Sequence, residues 1–184
     1  MGKLNSFTFI SLNGFYKDYN NNIDWHHHGD EEAEYSSESL QSDNILLFGR
    51  VTYDMMAGFW PSPMAFESFP EVAKGMNDSE KIVISNTLKH ADWNNTKVIN
   101  ENMIETIRQL KETSKKDITL LGSGTILTQL SEANLIDEYK IMIDPVVLSN
   151  GTSLFHGLQH QLHLKLVSSR TFKSGTILLT YYNK

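Results

Sequence analysis

A chain of 184 residues with 40% hydrophobic side chains can bury a core of its own, and it reads as one domain over residues 1–184. Its 16 basic and 22 acidic side chains leave a net charge of -6, which argues against a general nucleic-acid-binding surface. Cysteine is absent, which excludes disulfides, thiolate metal sites and thiol nucleophiles; with no long apolar run, the expectation is a cytoplasmic protein without a membrane span.

In chain order, Leu4 to Leu12 is β-prone and stops at Asn13-Gly14, so it predicts a first strand and a turn. Lys17 to Gly29 is polar and reads as a loop. Asp30 to Asp43 predicts an acidic helix, with Asp30 or a neighbour as its cap. Ile45-Leu46-Leu47-Phe48, closed by Gly49, has the pattern of a strand buried on both faces, and Lys81 to Ser85 repeats it. Between them, Val51 to Met56 predicts a short helix, and Pro61, Pro63 and Pro70 predict an irregular loop. Val98-Ile99 suggests another strand. Met103, Ile107 and Leu110 then fall on one face of an amphipathic helix. Ile118 to Leu121 is the next strand, followed by a helix whose inner side is Ile126, Leu127 and Leu130. After Tyr139 the period falls to two, and Leu162 to Phe172 and Thr176 to Tyr182 predict a hairpin around Lys173-Ser174-Gly175. Alternating short strands and helices imply an α/β fold. Its central sheet is expected to be mixed but mostly parallel, with antiparallel C-terminal strands and helices on both faces.

Three predicted strand ends carry groups suited to a phosphorylated ligand. At Gly122-Ser123-Gly124-Thr125 a strand turns into a helix, where glycine permits close backbone approach and the first-turn N–H groups favour an anion. At Gly49-Arg50-Val51-Thr52 a second strand ends beside a guanidinium fork and a hydroxyl. At Ser85-Asn86-Thr87 a third ends in small polar residues. In open α/β sheets ligands bind outside the carboxyl ends of the strands, so the joint pattern points to a nucleotide.

These segments resemble the dihydrofolate reductase-like family, and within it the branch of the C-terminal reductase domain of the bifunctional riboflavin-biosynthesis deaminase-reductase. The resemblance rests on Ser11-Leu12-Asn13-Gly14-Phe15, Leu47 to Tyr53, Ser85 to Leu88, Gly122-Ser123-Gly124, and Leu135 to Tyr139 leading to Asp144 to Leu148. It implies a three-layer dihydrofolate reductase-like fold and an NADPH-dependent oxidoreductase that passes a hydride to a small heterocyclic, pterin- or pyrimidine-like, or carbonyl substrate. It also implies Gly122, Ser123, Gly124 and Thr125 at the pyrophosphate, with Gly49, Arg50 and Thr52 at the phosphates. Ser85, Asn86 and Thr87 would lie by the adenosine and its 2′-phosphate, and Ile10 to Gly14 at the nicotinamide. A homodimer is a further expectation from the family. The deaminase half needs zinc ligands this chain lacks, so only the reductase half is implied.

In dihydrofolate reductases a carboxylate of the first helix holds the pterin, but Asp24 to Glu34 contains no single obvious equivalent. Asp30 and Glu34 are the candidates for a catalytic contact to substrate, although an acidic first helical turn has a solvated role as well. His26-His27-His28 is not read as a metal site, because consecutive side chains rarely converge on one ion. Trp25 and Trp60 are candidate lids over a flat ligand, and the apolar stretch Phe59 to Phe69 is expected to flank a substrate pocket or a dimer contact. A nucleotide- or small-ligand-binding protein on the same fold, without turnover, is the alternative from a different class.

Overall fold

A computed structural model describes residues 1–27, 29–40 and 42–184. The chain runs β1 (Leu4–Ser11), β2 (Phe15–Asp18), α1 (Asp30–Leu40), β3 (Ile45–Gly49), α2 (Arg50–Phe59), α3 (Pro63–Ser68), α4 (Pro70–Asp78) and β4 (Lys81–Ile84). It continues through β5 (Thr96–Ile99), α5 (Met103–Thr113), β6 (Ile118–Leu121), α6 (Gly124–Glu132), β7 (Glu138–Asp144), β8 (Gly151–Ser153), β9 (Leu164–Thr171) and β10 (Ile177–Asn183).

Eight strands form one sheet in the order β5-β4-β3-β6-β1-β7-β10-β9. The six strands from β5 to β7 in that order are mutually parallel, while β10 pairs antiparallel with both β7 and β9. That is the expected mixed sheet. Strand β1 lies at its centre, with Leu4 opposite Ile118 on one side and Ser11 opposite Asp144 on the other. A small second sheet pairs β2 with β8.

Alternation along the strands divides the core between the two faces. Leu4, Leu47, Ile82, Ile118 and Leu120 pack under α5 and α6, against Ile107, Ile126, Leu127 and Leu130. Leu46, Phe48 and Val83 face the other way, toward Tyr53 of α2 and Val72 and Met76 of α4. Phe7, Phe9 and Met142 continue that second face beneath Tyr35 of α1. The parity of each strand therefore decides which layer it holds.

Two local readings change. Most of the segment from Pro61 to Pro70 is helical rather than irregular: Pro63 and Pro70 occupy the first turns of α3 (Pro63–Ser68) and α4, where a missing N–H costs nothing. Ser62 accepts from the Ala65 N–H at 3.3 Å and starts α3. The polar stretch from Lys17 is not all loop, because Phe15–Asp18 forms β2; Lys17 and Asp18 pair with Thr152 and Gly151 of β8. Neither proline context nor a short polar strand has a distinctive period, so only tertiary pairing reveals them.

Candidate active site

The carboxyl ends of β3 and β6 meet at a close contact. A β-carbon on Gly49 would collide with the Ser123 hydroxyl, so glycine is what lets the two strand ends touch. Gly122 and Ser123 both adopt left-handed backbone, with φ of +58° and +61°. Such a φ is uncommon for serine and marks a bend that the surrounding packing must hold. The bend releases the chain into α6, and the Gly122 N–H stays anchored on the Phe7 carbonyl at 3.0 Å. Among the described residues, no side chain caps the first turn of α2 or α6, which leaves both helix N-termini with donor N–H groups at this edge.

Two cavities open on opposite faces of the sheet beside that contact. The first, about 270 Å³, lies on the α1–α4 face and is lined by Phe7, Phe9, Tyr16, Tyr35, Leu46, Thr52, Met55, Met56, Trp60, Phe69, Leu121, Gly122 and Ser123, among others. The second, about 580 Å³, lies on the α5–α6 face against Ile84, Ser85, Asn86, Asn102, Met103, Ile126 and Gln129. Gly122 and Ser123 belong to the wall of the first cavity, and Ile126, which packs beside Gly49, to that of the second. Ligands of open α/β sheets sit at such an edge.

The sequence-predicted residues divide among these features. Thr52 reaches Gly122 across the first cavity, while Ser85 and Asn86 line the second. Arg50 spans α2 and the end of β4: its Nε pairs with Asp54 at 2.6 Å and its Nη1 donates to Thr87 at 3.3 Å. The Ser85 hydroxyl is committed to its own turn, accepting from the Thr87 and Leu88 N–H groups. Thr125 is exposed on the first turn of α6. Gly124 is covered by the Tyr16 ring, whose Cε1 would lie 2.6 Å from a β-carbon there. Ile10 is absent from the described walls of either cavity, whose nearest contributors from β1 are Phe9 and Thr8. Gly14 turns the chain into β2 with φ of +86° and has open space where a side chain would be.

Asp30 and Glu34 both lie exposed on α1 and outside either described cavity wall; the face of α1 turned to the first cavity carries Ala33, Tyr35, Ser36, Ser39 and Leu40. The buried carboxylate of that helix is Glu32, which accepts from the Ser174 hydroxyl in the β9–β10 turn. Glu31 is engaged by Lys173, whose hydrogen bonds hold its carboxyl below the usual range. The acidic first turn thus ties α1 to the C-terminal hairpin.

Of the histidine tract, His28 lies outside the described residues. The His26 side chain is buried, stacks on Phe9 with ring centroids 3.7 Å apart, and pairs through Nδ1 with Asp144 at 2.9 Å. This pair fixes the segment that brings Asn21 and Ile23 to the cavity wall. Trp60 lines the first cavity, whereas Trp25 packs edge-on against His26 instead. Among the described residues, no group of three His, Asp or Glu side chains is arranged to hold a metal ion.

Tyr16 and Lys140 line the first cavity without a distinctive signal in the sequence. Tyr16 sits in a stretch too short and polar to show a period; Lys140 stood out only as a polar position in the alternating strand β7.

The model of the RibD C-terminal domain matches residues 2–178, nearly the whole chain. The chain belongs to that family. A relative from Bacillus subtilis (strain 168), "Uncharacterized protein YyaP", is 32% identical over 173 residues, covering 94% of this chain and 90% of its own. A putative riboflavin biosynthesis protein from Shewanella sp. PV-4 superposes with a TM-score of 0.79 at 21% identity, covering 99% of each chain. Dihydrofolate reductase from Enterococcus faecalis, in complex with NADP(H) and RAB-propyl, superposes with a TM-score of 0.66 at 15% identity, covering 100% of this chain and 97% of that one. The RibD C-terminal domain thus has a dihydrofolate reductase-like architecture here, and one of these neighbours is a reductase by name.

Within the family motifs, several residues serve the framework. Asp137 accepts from the Leu4 N–H and pairs with the mostly buried Lys111, both at 2.7 Å. Asn13 donates to the Leu148 carbonyl and accepts from its N–H, which ties the β1–β2 turn to the segment after Asp144.

Proposed function

We propose that the protein is an NADPH-dependent reductase acting on a small molecule. The observation that carries this reading is the pair of cavities on opposite faces of the sheet, one on either side of the strand-end contact where two helices without side-chain N-caps begin. A dinucleotide has that shape: two aromatic ends and a dianionic pyrophosphate between them. The first-turn N–H groups of α2 and α6 suit the pyrophosphate. Asn86 and Ser85 would border the adenosine end, with Arg50 and Thr87 close enough to take a 2′-phosphate. The nicotinamide would then enter the apolar cavity by Tyr16, Thr52 and Ser123. The name of the Enterococcus neighbour, which states NADP(H), agrees with this choice of cofactor.

When bound, NADPH supplies a hydride from its nicotinamide C4. A substrate reduced in that way would also need one proton. The protein's share is orientation and exclusion of water: the aromatic and aliphatic walls hold a flat molecule in line with the nicotinamide. No carboxylate lines the cavity among its described walls, so the proton is expected from solvent or a polar side chain such as Tyr35.

Loss of NADPH absorbance during a screen of quinones, aldehydes and oxo-heterocycles tests the activity. Arg50→Ala is expected to weaken NADPH about tenfold while leaving NADH nearly unchanged. Equal losses for both cofactors would place Arg50 away from the 2′-phosphate, and absence of NADPH binding to the wild type would end the reading.

A further inference from the structure

Away from the crevice, the first cavity ends under α1 at the amino ends of the central strands. Asn5 of β1 lines it there, opposite Thr119 of β6 and on the same face of its strand as Phe7 and Phe9. The Asn5 Oδ1 is buried and has no hydrogen-bond partner among the described residues. A carboxamide oxygen can only accept, so what this atom lacks is a hydrogen. An unpaired buried acceptor costs about 1–3 kcal/mol, and a ligand N–H or O–H that reaches it recovers that loss.

Most of the neighbouring donors on this wall are already committed. Ser36 donates to the Glu32 carbonyl and Ser39 to the Tyr35 carbonyl, both at 2.9 Å, and Ser42 donates to the Ser39 carbonyl at 2.6 Å. The Asn44 amide donates to the Thr119 hydroxyl at 3.2 Å. The Lys140 ammonium lies 3.2 Å from the Glu138 carboxylate and also meets the Tyr35 hydroxyl. Burial works against its charge, but Tyr35 and Glu138 outweigh that and raise its pKa above the ordinary lysine value, so it is a cation throughout the neutral range. No Asp or Glu appears among the described walls of the cavity to draw in a second cation.

We propose that the inner end of this cavity recognises a neutral hydrogen-bond donor, a ring N–H or a hydroxyl, on an otherwise apolar aromatic ligand, with the Asn5 Oδ1 as its acceptor. This rests on the reductase reading above only in taking that ligand for the substrate; the recognition itself needs no cofactor. A cationic donor is repelled by Lys140, in an apolar surround that strengthens like-charge repulsion relative to water. An ether or ring oxygen in the same place brings lone pairs to a lone pair and leaves the Asn5 Oδ1 unpaired. From Asn5 to Phe9 the strand rises about 13 Å, so a bicyclic ring fits between the amide and the crevice.

The test sets indole against benzofuran, bicycles of nearly the same shape in which an N–H is exchanged for a ring oxygen, titrated calorimetrically into the full chain with and without NADP⁺. Indole loses a hydrogen bond to water on entering, so a cavity without a waiting acceptor favours benzofuran. Indole is instead expected to bind about tenfold more tightly. Asn5→Leu, close in volume but without an acceptor, is expected to abolish or reverse that preference; if leucine is not accommodated and the chain unfolds, Asn5→Ala carries the same comparison. In a second pair, 2-(hydroxymethyl)naphthalene is expected to bind at least about tenfold more tightly than 2-(aminomethyl)naphthalene, its cationic counterpart. Equal binding of indole and benzofuran, tighter binding of benzofuran, no binding of indole at millimolar concentration, a preference untouched at Asn5, or an ammonium bound as well as the alcohol would each overturn the proposal. NADPH affinity is measured separately: a wild type that prefers indole but binds no NADPH refutes the reductase reading and leaves the donor site standing.

Discussion

Gly124 shows how one residue's role depends on its neighbour. A side chain there meets the Tyr16 ring before it meets any ligand, because a β-carbon at this position would lie 2.6–3.1 Å from the ring carbons. Gly124→Ala is therefore expected to lower stability by about 1–2 kcal/mol in chemical denaturation, and Tyr16→Ala in the same chain to remove most of that extra cost. Additive losses would mean that Tyr16 does not press on Gly124. Lys81 offers a second residue-scale test. It is 1% exposed, and its ammonium donates to the Met76, Asn77 and Ser79 carbonyls at the end of α4 while facing the Trp93 ring at 4.6 Å. Burial pushes its pKa down to about 8, with Asp78 acting in the opposite sense. Between pH 8 and the ordinary lysine value the unfolded chain then holds more protons than the folded one, so stability contributed by this group rises with pH across that window. The rise is at most about 3 kcal/mol. It should be visible as the difference between wild-type and Lys81→Met denaturation midpoints measured from pH 7 to 10, and a flat difference would contradict it.

Among the elements, the segment between β2 and α1 is held less by its own secondary structure than by one pair of side chains. His26 and Asp144 are each 5% exposed at the side chain, and the imidazole also lies against Phe9. Removing one member of a buried pair leaves the other desolvated without compensation, a loss of about 3–5 kcal/mol. His26→Ala is expected to approach that figure and to speed hydrogen exchange over residues 19–27, whereas His26→Asn, which keeps a donor near the Nδ1 position, recovers part of it. Exchange rates unchanged in His26→Ala would show that the segment is anchored elsewhere. The sequence made most elements legible because burial on both faces leaves uninterrupted apolar runs, as in Ile45 to Phe48, and burial on one leaves a period, as in α5. It concealed the His26–Asp144 pair, which joins residues 118 apart and has no local signature. It concealed α3 and α4 for a different reason: proline breaks a helix in its interior but starts one at its first turn, and composition alone does not tell the two apart.

At the scale of the whole molecule, the residues assigned to the proposed cofactor come from separate parts of the chain that only the sheet brings together. Gly49 and Ser123 are in contact, Arg50 reaches Thr87, and Asn13 bonds to Leu148. The strand ends were readable as glycine and small polar residues. The inner wall of the first cavity was not, because Asn5 and Lys140 come to line it only through the parallel pairing of β1 with β7. A ligand that bridges such distant segments stabilises the fold as a unit. With free NADPH at one hundred times its dissociation constant, the gain is about 2.7 kcal/mol, which for a chain of this size corresponds to a rise of roughly 5–10 °C in Tm. NADH at the same concentration is expected to give a smaller rise, and Arg50→Ala to bring the two cofactors level. If NADPH raises Tm no more than an equal concentration of inorganic pyrophosphate does, the two cavities are not being bridged, and the proposed path of the cofactor across the β3–β6 edge fails.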